Sequence, residues 1–279
     1  MSTVHNRFIS SDGTVRYLLR LHDGEFAEAV HIPRDDRVTF CVSSQVGCAL
    51  GCVFCLTGQL GLTRDLSAEE IISQVRLLIE EVAPTHPRYS IVMMGMGEPL
   101  ANYENVLQAI RFFHDDQGLK LPMSRITIST AGLVPAMKRL ATEPLFPNLS
   151  ISLTGVTNKV RDWLMPVNRK YPIEEIMDIV RHLPPQRQKR VMFECVMIQD
   201  LTDSEADAAE LSRLLRGMRV KVNLIPLNSA AEIPFERADD SRILRFHEIL
   251  LRNGVATFIR KNRGNDVSGA CGQLKKTIS

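Results

Sequence analysis

Cys48-Ala-Leu-Gly-Cys52-Val-Phe-Cys55 places three thiols at C-x3-C-x2-C spacing, with no fourth cysteine close behind. Cysteine thiolates hold iron–sulfur clusters, and a cubane has four irons to ligate. Three protein ligands leave one iron open to bind a substrate or cofactor. A closed structural zinc site is the competing reading. Zinc takes four ligands, usually from paired C-x2–4-C motifs, and no second pair exists here; the nearest extra thiol, Cys41, lies upstream. A histidine from afar would complete a Cys3His site, but nothing local offers one, so the spacing favours the cluster.

Such a loop needs a scaffold, and the surrounding pattern supplies one. Val15–Leu21 and Phe26–Ile32 alternate apolar and polar residues around His22-Asp23-Gly24-Glu25, which predicts a β-hairpin with Asp-Gly at its turn. Strands are then expected at Val38–Ser43, Tyr89–Met94, Arg125–Thr130, Asn148–Leu153, Val191–Ile198, Val220–Pro226 and Ala256–Arg260. Several are near-continuous apolar runs, as in parallel strands covered on both faces. Helices lie between them. Ser67–Val82 carries an apolar stripe at Ile71, Val75, Leu78, Ile79 and Val82 and opens on a Ser67/Glu70 capping box. A second runs from about Ser241 to Asn253 and stops at Gly254. The reading is an α/β fold, a partial (βα)6 barrel behind a short N-terminal hairpin, with residues 1–36 as the hairpin extension and 37–279 as the core. Ligands collect at the carboxyl ends of such strands, and the cysteine loop follows the first of them.

Composition agrees with a globular protein that can bury a sizeable core. The chain has 279 residues, 44% of them hydrophobic and 24% charged. A net charge of +2 argues neither for nor against nucleic acid. The N-terminus has no apolar signal core and no run approaches the ~20 apolar residues of a membrane span. The six cysteines, clustered mainly between 41 and 55, do not form a secreted disulfide pattern. A cytoplasmic protein without membrane contact is expected.

Further motifs sit at the predicted strand ends. Met94-Gly95-Met96-Gly97-Glu98-Pro99 follows the second strand, with glycines that let backbone approach a ligand and a carboxylate suited to an ammonium group. Ser129 and Thr130 end the third strand, Ser152, Leu153 and Thr154 the fourth, and Asn228 follows the sixth. Their hydroxyls and amide suit a ribose or carboxylate. Cys271 lies among small residues, an exposed and flexible setting; Cys195 and Trp163 read as packing.

In combination these stretches identify a family. Phe54 before the last cysteine is the habit of radical-SAM enzymes. Cys41-Val-Ser-Ser-Gln-Val-Gly-Cys48, Met93-Met-Gly-Met-Gly-Glu-Pro-Leu100, Arg125-Ile-Thr-Ile-Ser-Thr130, Met165-Pro-Val-Asn168, Asn223-Leu-Ile-Pro226 and Ala270-Cys-Gly-Gln-Leu274 resemble the RlmN/Cfr family of radical-SAM RNA methyltransferases. The resemblance implies a radical-SAM barrel, a [4Fe-4S] cluster on Cys48, Cys52 and Cys55, and S-adenosylmethionine held by Gly97, Glu98, Ser129, Ser152, Leu153, Thr154 and Asn228, two molecules being used per turnover. It implies that Cys271 is methylated and later carries the methyl to the base, that Cys41 releases the product by forming a disulfide with it, and that Glu28 accepts a proton. The implied substrate is an adenosine of 23S rRNA, and in some members of tRNA, methylated at carbon 2; the Cfr branch acts at carbon 8. A reductant such as flavodoxin and a monomeric state are expected.

Three departures accompany the resemblance. From its start just before the hairpin, the family's usual helical accessory domain is expected to be missing. Thr154 stands where members often have His, and Asn265-Asp266 where they have an Asp pair. Candidate phosphate contacts are Arg34, Arg37, Arg260, Lys261, Arg263, Lys275 and Lys276. Two other classes remain as alternatives: an RNA-binding paralogue that holds a cluster without turnover, and a zinc-stabilised binding module.

Overall fold

The computed structural model describes residues 2–34, 37–82 and 88–275; Lys276 lies outside them. The chain packs as two units. One is built from the residues up to Gly51, from Cys55–Ser129 and from Arg263 onward; the other from Cys52–Phe54 and Thr130–Asn262.

The first unit begins with strands β1 (Thr3–Ile9), β2 (Val15–Arg20) and β3 (Phe26–Pro33), paired antiparallel in sequence order. The β2–β3 hairpin turns at Asp23-Gly24 as expected. Gly24 takes φ +89° and the Leu21 amide closes on the Glu25 carbonyl at 2.8 Å. β4 (Val38–Cys41) pairs antiparallel with β3, and there the sheet changes character. A ribbon follows, β5 (Gln45–Cys48) with β6 (Gly61–Asp65), bracketing the one-turn helix α1 (Leu56–Gln59). Helix α2 (Ala68–Val82) comes next, then β7 (Tyr89–Met93), α3 (Tyr103–His114) and β8 (Ile126–Thr130). β4, β7 and β8 run parallel. The capping box is present: the Ser67 hydroxyl accepts the Glu70 amide at 3.2 Å and the Glu70 carboxylate accepts the Ser67 amide at 2.9 Å.

The second unit repeats the β–α pattern. It contains α4 (Val134–Leu140), β9 (Asn148–Ser152), α5 (Asn158–Leu164), α6 (Ile173–His182), α7 (Pro185–Gln188), β10 (Val191–Met197), α8 (Glu205–Leu214), β11 (Lys221–Pro226), α9 (Asp240–Arg252) and β12 (Ala256–Ile259). β9 to β12 are parallel neighbours in sequence order. Ile151, Phe193, Val222 and Leu224 are fully buried, as strands covered on both faces require. Helix α9 ends at Gly254, whose φ of +77° lets the Val255 amide turn back to the Leu250 carbonyl at 3.0 Å. Among the described residues no helix is long and apolar enough to cross a membrane.

Gly47 sets the spacing of the ribbon that carries Cys48. Its φ is +81°, and a Cβ there would lie 1.9 Å from the Gly61 carbonyl oxygen. Gly47→Ala should force β5 and β6 apart at a cost of about 1–3 kcal/mol. Thermal unfolding of the metal-free protein measures this; an unchanged midpoint would contradict it.

Candidate active site

In the first unit, four of the singled-out side chains converge around the loop between β5 and β6. Cys48 ends β5 and is buried. Burial raises its thiol pKa to about 11, with the negative charges of Cys55 and Glu98 adding to the effect and the Leu50 amide opposing it. Cys55 precedes α1. Burial raises its pKa as well; the amides of Gly58 and Thr57 and the Thr57 hydroxyl hold its anion, and the charge of Cys271 raises it again. Cys271 therefore lies within electrostatic reach of the cysteine loop, although the two are far apart in sequence.

Backbone contacts explain the convergence. The Leu56 amide donates to the Gly272 carbonyl at 2.7 Å, and the Thr57 hydroxyl to the Leu274 carbonyl at 2.7 Å. Helix α1 is thus seated on the residues that follow Cys271. Cys41, at the end of β4, is buried in an apolar cluster with Val30, Met96 and Leu274. Sequence placed Cys271 in an exposed, flexible segment; the structure corrects this. The thiol is half-buried and its neighbours are fastened on both sides. Asp12 accepts the Gly264 amide at 3.0 Å, Asp266 accepts the Ser11 amide at 3.0 Å, and Arg16 Nε donates to the Val267 carbonyl at 2.7 Å.

Glu28, on β3, is fully buried. One carboxylate oxygen pairs with the Arg16 guanidinium and the other accepts the Lys275 amide at 3.1 Å. Arg16, itself buried, also stacks on the Phe8 ring at 3.9 Å. Arg16 and Glu28 together clamp both sides of the Cys271 segment.

The Met94–Pro99 loop lies against residues 42–45, just upstream of Cys48. The Met96 carbonyl accepts the Ser44 and Gln45 amides at 2.9 and 3.2 Å, and Ser43 Oγ accepts the Met96 amide at 2.8 Å. Gly97 is obligatory: φ is +100°, and a Cβ would meet Gln45 Cβ at 2.5 Å. Gln45 accepts the Glu98 amide at 2.8 Å, and the buried Glu98 carboxylate accepts the Leu100 amide at 3.0 Å. Ser129, on β8, is half-buried.

The second unit holds Cys52, Ser152, Leu153, Thr154 and Asn228. The Val53 amide donates to the Leu164 carbonyl at 3.1 Å, tying the middle of the cysteine loop to the end of α5. Ser152 ends β9, and Leu153 and Thr154 are buried just beyond it; Asn228 is buried after β11. Thr154 has φ +57°, an outlying conformation for a β-branched residue. Arg161, fully buried on α5, was not singled out from sequence, because an arginine in an amphipathic helix carries no local sign of burial. Trp163 is 50% exposed, with its ring edge-on to Phe235 at 5.4 Å, and is not core packing. Helix α5 turns Arg161 and Leu164 inward, which directs position 163 outward. Cys195 is packing as expected, and burial pushes its thiol up to about 12.

Among the described residues no group of three or more His, Cys, Asp or Glu is gathered tightly enough for a single metal ion. A cubane places its ligands on different irons and spaces them further apart. The donors suit the cluster: the Cys48 and Cys55 thiols, their pKa values raised, need a strong cation to stay ionised, and loop amides already point at both.

A three-cysteine loop after the first parallel strand of an α/β fold defines the radical-SAM class, and the model of the radical SAM superfamily matches residues 42–212. The dual-specificity RNA methyltransferase RlmN of Syntrophotalea carbinolica is 46% identical over 97% of this chain and 72% of its own length. RlmN of Syntrophobacter fumaroxidans is 46% identical over 95% of this chain and 77% of its own. The crystal structure of a radical SAM methyltransferase from Sphaerobacter thermophilus superposes with a TM-score of 0.96 at 44% identity, covering 99% of this chain and 82% of that one. The chain belongs to the RlmN family of radical-SAM methyltransferases, and its cofactors are a [4Fe-4S] cluster and S-adenosylmethionine.

Arg16→Met would strand the Glu28 carboxylate in the interior without its cation, at a cost of about 3–5 kcal/mol. Amide hydrogen exchange should accelerate across residues 263–275. Equal exchange in wild type and variant would show that the pair does not hold the segment.

Proposed function

We propose that this enzyme methylates carbon 2 of an adenosine in 23S rRNA, with tRNA as a further substrate, through a methyl group carried on Cys271. The observation that carries this reading is the meeting of Cys271 with the cluster loop: its charge acts on Cys55, and Leu274, three residues on, packs against Cys41.

Carbon 2 lies between two ring nitrogens and is electron-poor, so it does not attack a sulfonium methyl. A protein sulfur can. Cys271 thiolate displaces the methyl from one S-adenosylmethionine, forming a thioether and releasing S-adenosylhomocysteine. When bound, the cluster and a second S-adenosylmethionine supply the one-electron chemistry that activates this methyl for addition to the base. Cys271 then joins enzyme and RNA covalently. Glu28 accepts the displaced ring proton. Cys41 thiolate attacks Cys271 sulfur; the methylene carbon leaves with the electron pair of the broken C–S bond and takes up a proton to become the methyl group, and a disulfide remains. Proton uptake by Glu28 would neutralise the carboxylate that faces Arg16, and so weaken the ion pair that holds the Cys271 segment. Gly97, Glu98, Ser129, Ser152, Leu153, Thr154 and Asn228 bind S-adenosylmethionine in this reading, and Cys48, Cys52 and Cys55 hold the cluster. Arg34, Arg37 and Lys261 are exposed and suited to RNA phosphates. An external one-electron donor such as flavodoxin is required.

Anaerobically reconstituted enzyme, offered rRNA and tRNA with labelled S-adenosylmethionine, should yield 2-methyladenosine by nucleoside mass spectrometry. Cys271→Ala should abolish transfer, and Cys41→Ala should accumulate a covalent protein–RNA adduct. 8-Methyladenosine would overturn the assigned carbon, and free turnover of the Cys41 variant would overturn the release step.

A further inference from the structure

Arg161 takes no part in the chemistry above, yet it is fully buried and makes a fork of contacts at the strand ends of the second unit. Nε donates to the Leu153 carbonyl at 3.1 Å and Nη2 to the Ser152 carbonyl at 3.3 Å, Nη2 also reaching the Ala131 carbonyl. Nη1 donates to Asn168 Oδ1 at 2.7 Å. Burial lowers its pKa to about 10, the charges of Cys52 and Asp162 pulling the other way. Desolvating a guanidinium is expensive, and apolar packing alone would not call for one. What it offers is a rigid planar set of donors aimed at several acceptors together.

The acceptors surround a strained turn. Thr154 sits at φ +57°, and such strain persists only where the surroundings over-determine it. Two supports are visible. The Leu153 and Thr154 amides both donate to the Glu194 carbonyl, at 2.9 and 3.1 Å, and Arg161 holds the carbonyls of the two residues before Thr154. Thr154 is 2% exposed, and its Oγ1 has no hydrogen-bond partner in the protein. A buried hydroxyl left in that condition in a strained turn points to a ligand. Gly132 lies beside the guanidinium at φ +102°, and a Cβ there would meet Ile176 Cδ1 at 2.4 Å.

We infer that Arg161 is a positioning residue for S-adenosylmethionine: by fixing the Ser152 and Leu153 carbonyls it holds Thr154 in its left-handed turn, with the hydroxyl presented to the cofactor. The inference rests on the assignment of Ser152–Thr154 to that cofactor. It adds a group that touches no ligand and acts through the turn.

The test uses the reconstituted holoenzyme and reads the dissociation constant of S-adenosylmethionine by equilibrium dialysis, beside iron content and thermal midpoint. Arg161→Met should weaken binding at least tenfold at unchanged iron content, Arg161→Lys should recover part of it, and Asn168→Ala should fall between. Thr154→Val should also weaken binding, and in the Arg161→Met background should add little, because the hydroxyl is already misplaced. Affinity within twofold of wild type in Arg161→Met, or in Asn168→Ala should the first variant not fold, overturns the inference. So does loss of iron in parallel with affinity, or full additivity of the two substitutions. Wild-type affinity in Thr154→Val strikes instead at the cofactor assignment, which separates the two failures.

Discussion

The buried pair of Arg16 and Glu28 is the contact on which the first unit's chemistry depends. A carboxylate and a guanidinium taken out of water gain little net stability. Their value here is positional. Through the Val267 carbonyl and the Lys275 amide the pair grips the Cys271 segment on both sides, while α1 and its flanking amide hold it from the cysteine loop. A half-buried thiol on an irregular segment keeps a fixed place only if its neighbours are fastened, and loop residues alone do not supply that. The antiparallel strands ahead of the parallel sheet become a mounting for the last residues of the active site.

A second buried arginine serves the second unit by a related device. Arg16 meets a carboxylate and a carbonyl; Arg161 meets carbonyls and a side-chain amide. Each locks irregular backbone where sheet hydrogen bonding has stopped and ligand residues begin. Glycines at 97 and 132 give the close approaches that allow this. The two units thus share a principle: beyond the strand ends, a desolvated cation or a glycine contact fixes the loops.

Much of this was legible from residue order. Parallel strands appear as continuous apolar runs because both faces are covered, and all seven expected segments are strands, with ends shifted by a residue or two. The Ser67/Glu70 box and Gly254 marked their helix ends because capping is local chemistry. Strand β1 went unread: Thr3–Ile9 is mostly exposed and so carries no apolar alternation. The β5–β6 ribbon was hidden by its glycines and its short strands. Arg16, Arg161 and the outward turn of Trp163 depend on what tertiary structure packs against them, which no window of sequence contains. The cysteine spacing and the strand-end hydroxyls were visible; the clamps that hold them were not.

The link from Glu28 to Lys275 is among the longest in sequence that the fold makes, and it has a consequence for assembly. Contacts of great separation close late, because the entropy of the intervening chain must be spent first. The ribbon around Cys48, made of neighbours, has no such wait. The β5–β6 ribbon can therefore form before residues 263–275 are fastened to helix α1. Assembly of this unit is thus ordered by topology, with the segment around Cys271 the last part fitted.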